Sequence, residues 1–163
     1  MYLPTPNRFQ PKTDKFSLIH IHGKLEEPQN IIFGYGNEDE RFKNILNRND
    51  NEYLKHIKSI RYSETDNYRK LLQFIESGYY QVYIMGHSCG PSDGTLLNTL
   101  FEHKYCVGIK PFYHKKADGT DNYMEITQNI LRNFTDMQLM RDRVVNKTYC
   151  ECLNQWLNVK QIK

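Results

Sequence analysis

A chain of 163 residues has room for one domain with its own core and is too short for two ordinary ones. Its 22 basic and 19 acidic side chains interleave to a net charge of +3, which argues against a nucleic-acid stripe and keeps any anionic partner small. No run approaches the roughly 18 consecutive apolar residues that a membrane span needs, and Cys89, Cys106, Cys150 and Cys152 show no Cys-x-x-Cys pairing, so a soluble cytoplasmic protein with reduced thiols is expected.

Residues 1–15 open with Pro4, Pro6 and Pro11 and no period, which predicts an irregular lead-in. A single α/β domain is expected over 16–163, its last part from about 122 mainly helical. The alternation in Phe16-Ser-Leu-Ile-His-Ile-His22 predicts a first strand that ends at Gly23, with His20 and His22 on one face. Asn30-Ile-Ile-Phe33 predicts a second, and the acidic stretch Glu38 to Glu40 introduces a helix to about residue 48. Helical spacing recurs over 51–60 (Tyr53, Leu54, Ile57, Ile60) and again from Asp66 to Ser77 (Tyr68, Leu71, Leu72, Ile75). Tyr80 to Met85 reads as a strand, about Asp93 to His103 as a helix and Cys106 to Tyr113 as a second strand, a unit long enough to make a parallel pair. Helices are predicted over about 122–134, 136–146 and 148–158. Alternating helices and parallel strands give the class α/β, with a Rossmann-like sheet flanked by helices.

The junction Met85-Gly86-His87-Ser88-Cys89-Gly90-Pro91-Ser92-Asp93 carries two competing chemistries. As Gly-x-Ser-x-Gly it spells a nucleophile elbow, and a serine esterase using Ser88 is one reading. That fold needs an acid and then a histidine after the serine, whereas only His103 and His114 follow, and the acids before His103 are Asp93 and Glu102. The other reading is a cradle at a strand end: Gly86 admits a ligand to the backbone, Ser88 offers a hydroxyl, and Asp93 caps the next helix so that its amides face the site.

His20 and His22 lie two apart, as a metal pair on a strand would, but no third ligand is identifiable and no metal site is predicted. General acid-base work by His22 is favoured, because imidazole titrates nearest neutrality and Gly23 leaves the ring open to a substrate. Cys150-Glu-Cys152 falls on a predicted helix and reads as packing. The basic and aromatic run Lys110 to Lys116 reads as a solvated strand end.

Ile19-His-Ile-His-Gly23, then Ile31-Ile-Phe-Gly34, then Val82-Tyr-Ile-Met-Gly-His-Ser88 with Asp93 close behind, follow in one order over most of residues 16–134. In this the chain resembles the later part of AbiH-type bacteriophage abortive-infection proteins and, more distantly, sirtuin-like NAD-hydrolysing domains of phage defence. The resemblance implies that His22 is the catalytic base beside the nicotinamide ribose, and that Gly23, Gly86, His87, Ser88 and Asp93 contact the dinucleotide, with NAD as substrate. It also implies a nucleotide-type small molecule as ligand, and a homo-oligomer or a phage-derived trigger as partner. Those enzymes open with a strand and a Gly-rich phosphate loop, which nothing before Phe16 resembles, so the sheet is expected to be incomplete at its N-terminus, and NAD cleavage is expected only when that loop is supplied and not from this chain alone. A non-enzymatic sensor or assembly module with a Tyr-rich surface is the remaining alternative.

Overall fold

The structure is a computed structural model that describes residues 17–36 and 40–153. Along the chain it forms helices α1 (Glu40–Asn47), α2 (Asn51–Leu54), α3 (Lys58–Arg61) and α4 (Asn67–Glu76), then strand β1 (Tyr80–Ile84). Helix α5 (Gly94–Glu102), strand β2 (Cys106–Pro111), and helices α6 (Tyr123–Leu131) and α7 (Met137–Arg143) follow.

The two strands are parallel, with Val82 opposite Ile109 and Ile84 opposite Pro111. Period-two placement of β-formers explains β1: Tyr80, Val82 and Ile84 are buried on one face, and Gln81 and Tyr83 are half-buried on the other. In β2 the register slips by one residue between the Tyr80 and Gln81 pairings. The extra residue, Val107, turns outward to 50% exposure, which restores Ile109 to the buried face. Leu71 and Ile75 of α4, Leu96, Leu97, Leu100 and Phe101 of α5, and Ile126 and Ile130 of α6 close over that face as one core. The helical spacing of these side chains turns each helix to the sheet. Among the described residues this is a mixed α/β arrangement around a two-stranded parallel sheet.

The first part of the chain departs from expectation. Of the predicted strand 16–22, Phe16 lies outside the described residues, residues 17–20 are irregular, and Ile21 and His22 form a turn closed by the Gly23 N–H donating to the His20 carbonyl at 2.9 Å. The predicted strand 30–33 is likewise a 3-10 turn, Pro28–Asn30, followed by irregular chain. Ile19 and Ile21 do pack against the core and Ile32 is 4% exposed, but Leu18, Leu25 and Phe33 stand 72%, 86% and 78% exposed, so the alternation reflects one covered face without a strand ladder. The two segments share one backbone bond, from the Ile32 N–H to the His22 carbonyl at 3.0 Å, which is too little for a ladder.

The helix predicted over 51–60 is broken into α2 and α3. Ile57, 1% exposed, leaves the helical path at φ −80°, ψ 121°, and the chain bridges to Tyr35 on both sides of it. The Tyr35 N–H donates to the His56 carbonyl at 3.2 Å, and the Lys58 N–H to the Tyr35 carbonyl at 3.1 Å. Burial of one isoleucine plus two cross-chain bonds outweighs one more helical turn. The helix predicted from 148 is replaced over 147–149 by a 3-10 turn, and Cys152 bridges Tyr113 in parallel fashion. Positions 154–158 of that prediction lie outside the described residues. On this extended path Cys150 and Cys152 fall on one side, and both are buried, so their packing role stands although neither lies on a helix.

Gly23 carries a test of the first segment. It sits at φ +89°, and a Cβ there would lie 2.4 Å from the Asn30 carbonyl oxygen. Gly23→Ala is therefore expected to destabilise the protein by about 2 kcal/mol, read as a lower urea midpoint at unchanged slope. An unchanged midpoint would show that the 20–32 segment contributes nothing to the cooperative unit.

Candidate functional site

The chain leaves β1 through an irregular turn that side chains of α6 and of the residues just after it hold. Gly86 takes φ +69°, and Cys89 takes φ +54°, a left-handed conformation that costs a non-glycine residue about 1 kcal/mol. Three bonds offset that cost. Asn129 Nδ2 donates to the Ser88 carbonyl at 2.8 Å, Asn133 Nδ2 to the Cys89 carbonyl at 2.9 Å, and the Cys89 N–H to His87 Nδ1 at 3.0 Å. Asn133, only 4% exposed, also reaches the Asn129 carbonyl at 2.7 Å, so its amide is satisfied in the core. The Cys89 thiol is 1% exposed, and burial, aided by the Asp93 charge, pushes it up to about 12, which makes it a packing group rather than a nucleophile.

Asp93 is the centre of the arrangement. Its Oδ1 lies 3.2 Å from His22 Nε2 and 2.6 Å from Lys58 Nζ, and its Oδ2 lies 3.3 Å from His87 Nε2. Hydrogen bonds from His22 first, then from His87, together with Lys58, hold the carboxyl far below the usual carboxylate range against the opposing effect of burial. The expected helix cap is not made: Asp93 precedes Gly94 of α5, but its side chain gives no capping bond. Two imidazoles and an ammonium offer stronger, charge-assisted bonds than a backbone amide, and a 3-10 turn over Pro91–Asp93 aims the carboxylate at them. The cradle thus turns on a carboxylate and its donors, and not on helix amides.

The same contacts order the two histidines. Because the Cys89 N–H donates to His87 Nδ1, the His87 proton sits on Nε2, directed at Asp93. Both its nitrogens are thereby engaged, which leaves it unable to serve Ser88 as a base. His22 Nε2 faces Asp93 Oδ1 and the Tyr62 hydroxyl, the latter at 3.1 Å, and its ring stacks on Tyr62 at 6.1 Å. Tyr62 stacks in turn on Tyr68 at 5.1 Å. Burial first, and the Asp93 charge second, raise the Tyr62 phenol well above its ordinary value, so it remains a neutral hydroxyl beside the imidazole. With Nε2 committed, the second nitrogen of the 35% exposed His22 side chain, Nδ1, is the one open to a proton acceptor's role.

On the other side of the turn lies a cavity of about 200 Å³. Gly86, His87 and Ser88 form one wall, and Phe112, Glu125 and Asn129 stand across it. The structure therefore brings five of the six sequence-predicted residues to one place: His22, His87 and Asp93 in direct contact, and Gly86, His87 and Ser88 along the cavity. Gly23 is the exception, for its conformation serves the close approach of Asn30. His20 is used through its backbone, accepting from Asn67 Nδ2 at 2.9 Å. Among the described residues no group of three His, Cys, Asp or Glu side chains is placed to hold a metal ion.

Sequence reasoning missed Lys58, Tyr62, Asn129 and Asn133. The asparagines carried a signal, being polar residues four apart beside the buried Ile126 and Ile130 of α6. Lys58 and Tyr62 carried none, since only the break at Ile57 brings them to Asp93 and His22.

A family model described as "Bacteriophage abortive infection AbiH" matches residues 7–114. That span holds the His22 turn, β1, Asp93 and β2 and ends short of α6. Comparison with curated proteins and with solved structures gave no match.

Proposed function

The chain belongs to the bacteriophage abortive infection AbiH family, and from that premise we propose that its Asp93-centred site binds a nucleotide and cleaves NAD at the nicotinamide ribose. The parallel pair is read as part of a Rossmann-like sheet, whose ligands lie beyond the carboxyl ends of the strands. The observation that carries the reading is the Asp93 carboxylate, which joins His22 to the turn after β1 and fixes both imidazoles from one point. An isolated strand-end turn would be punctuation, but a turn bonded to a half-exposed imidazole through a carboxylate only 11% exposed reads as a built site.

The chemistry follows from the open nitrogen. Water attacks the ribose carbon, the bond to nicotinamide breaks with its electron pair going to the departing neutral ring, and His22 Nδ1 accepts the water proton. Asp93 stabilises the resulting imidazolium through Nε2, and the bonds from His22 and His87, with Lys58, keep Asp93 ionised throughout. Room for the ligand exists at Gly86, where a Cβ would meet no atom within 4 Å. The test is nicotinamide release from NAD by the wild-type chain extended by the residues encoded upstream of it, followed by chromatography. Nicotinamide and ADP-ribose in equal amounts are expected, and no release at saturating NAD would overturn the reading.

Gly86 separates ligand binding from folding. Gly86→Ala is expected to cost only the left-handed backbone strain, about 1 kcal/mol, since the added methyl group enters open space. The same methyl group occupies the path of a ligand, so binding of ADP-ribose should weaken by roughly tenfold or more. Unchanged affinity in a correctly folded Gly86→Ala protein would place the ligand elsewhere.

A further inference from the structure

We propose that Tyr62 is a positioning residue for His22: with Tyr68 stacked behind it, its hydroxyl fixes the orientation and the proton of the imidazole, so that Nδ1 is the nitrogen presented to a ligand. This role rests on the reading of His22 as the base, and three observations carry it. First, Tyr62 spends its hydroxyl differently from the other buried tyrosines. Tyr80 and Tyr123 donate to the backbone carbonyls of Leu100 and Val145 at 2.7 and 2.9 Å, the ordinary way to satisfy a core phenol. Tyr62, 5% exposed, instead places its oxygen 3.1 Å from Nε2 of the partly exposed His22 ring. A ligand does not reach so buried a hydroxyl, so its part is to position the imidazole and not to react.

Second, a single bond leaves a ring free to pivot. At His22 the Nε2–H is shared between two oxygens from different parts of the chain, Asp93 Oδ1 at 3.2 Å and the Tyr62 hydroxyl at 3.1 Å. The Tyr62 ring, 19° from parallel with the imidazole, limits its tilt. Both oxygens favour the proton on Nε2 and leave the lone pair on Nδ1.

Third, Tyr62 is itself held. Its ring lies 5.1 Å from that of Tyr68 and 10° from parallel. Thr99 Oγ1 donates to the Thr95 carbonyl at 2.8 Å, so the Tyr68 hydroxyl donates to Thr99 Oγ1, at 3.3 Å. Thr95 and Thr99 belong to α5, which begins directly after Asp93. The two arms that grip His22, one a carboxylate and the other a pair of stacked phenols, therefore start from one helix. That is the support by which a neighbouring shell locks a working side chain.

Tyr62→Phe keeps the ring and its stack on Tyr68 and removes only the hydroxyl. Two readouts apply: the 15N shifts of the His22 ring nitrogens at mildly alkaline pH, which separate a protonated from a bare nitrogen, and single-turnover nicotinamide release by the extended chain beside its ADP-ribose affinity. In the wild type the two shifts should be well apart, and in Tyr62→Phe they should converge as the tautomers mix. Release should slow about tenfold, the rate equivalent of one hydrogen bond, with affinity within about threefold. Unchanged 15N shifts overturn the inference whatever the rate does, because loss of packing alone leaves the tautomer as it was. A variant that cleaves at the wild-type rate overturns it as well. If the wild type itself releases no nicotinamide, the NAD reading falls, and converging shifts still uphold Tyr62 as the residue that positions the imidazole.

Discussion

Asp93→Asn is expected to destabilise the protein by about 3 kcal/mol, which for a chain of this length lowers the melting temperature by roughly 10 °C. The magnitude follows from what the substitution leaves behind. Asp93 is 11% exposed and Lys58 12% exposed, so removing the carboxylate charge strands an ammonium that water reaches poorly. The amide also replaces an acceptor with a donor at a point where His22, His87 and Lys58 all require acceptors. The dependence on pH has a definite sign. A carboxyl whose folded pKa is depressed below its ordinary 3.8 contributes stability that is present in full above that value. That contribution is lost as pH falls through the folded value. The stability gap between wild type and Asp93→Asn should hold from neutral pH down to about pH 4 and narrow only in stronger acid. Thermal melts at several pH values check this, and a gap that closes by pH 5 would show that Asp93 is not held by these partners.

The middle of the chain was legible in the sequence because its patterns reflected burial. Tyr80, Val82 and Ile84 alternate because one face of β1 is covered, and Leu96, Leu97, Leu100 and Phe101 recur because α5 covers it. The strand-helix-strand unit and the special turn within it, after β1, were visible for that reason. The segment before Gly34 presented the same alternation, and Ile19, Ile21 and Ile32 are indeed covered, but a covered face alone does not make a strand, and only the Ile32 N–H to His22 carbonyl bond links the two segments. At the site, His22 and Gly86 to Ser88 could be singled out by residue type and position. Their connection could not, since Asp93 has the spacing and chemistry of an N-cap, and only the three-dimensional meeting with His22, His87 and Lys58 redirects it. The Gly-x-Ser-x-Gly spelling illustrates the converse: the histidine beside Ser88 is spent on Asp93 and on the Cys89 N–H.

The larger effect is reserved for His22. If Asp93 and Tyr62 hold its Nε2 so that Nδ1 works as general base, removing the imidazole deletes the proton acceptor and leaves the cavity wall and the turn intact. General-base catalysis is commonly worth about a hundredfold to ten-thousandfold, so His22→Ala should release nicotinamide about a thousandfold more slowly. It should still bind ADP-ribose within about threefold of the wild type. Stability should fall only modestly, because the ring is partly exposed and Asp93 keeps both Lys58 and His87. The decisive measurement is therefore the single-turnover rate of NAD cleavage by His22→Ala beside the wild type, with binding of ADP-ribose recorded for both. A rate about a thousandfold lower at near-equal affinity is the predicted result, and equal rates would contradict the assignment of His22 as the base of an Asp93-centred site.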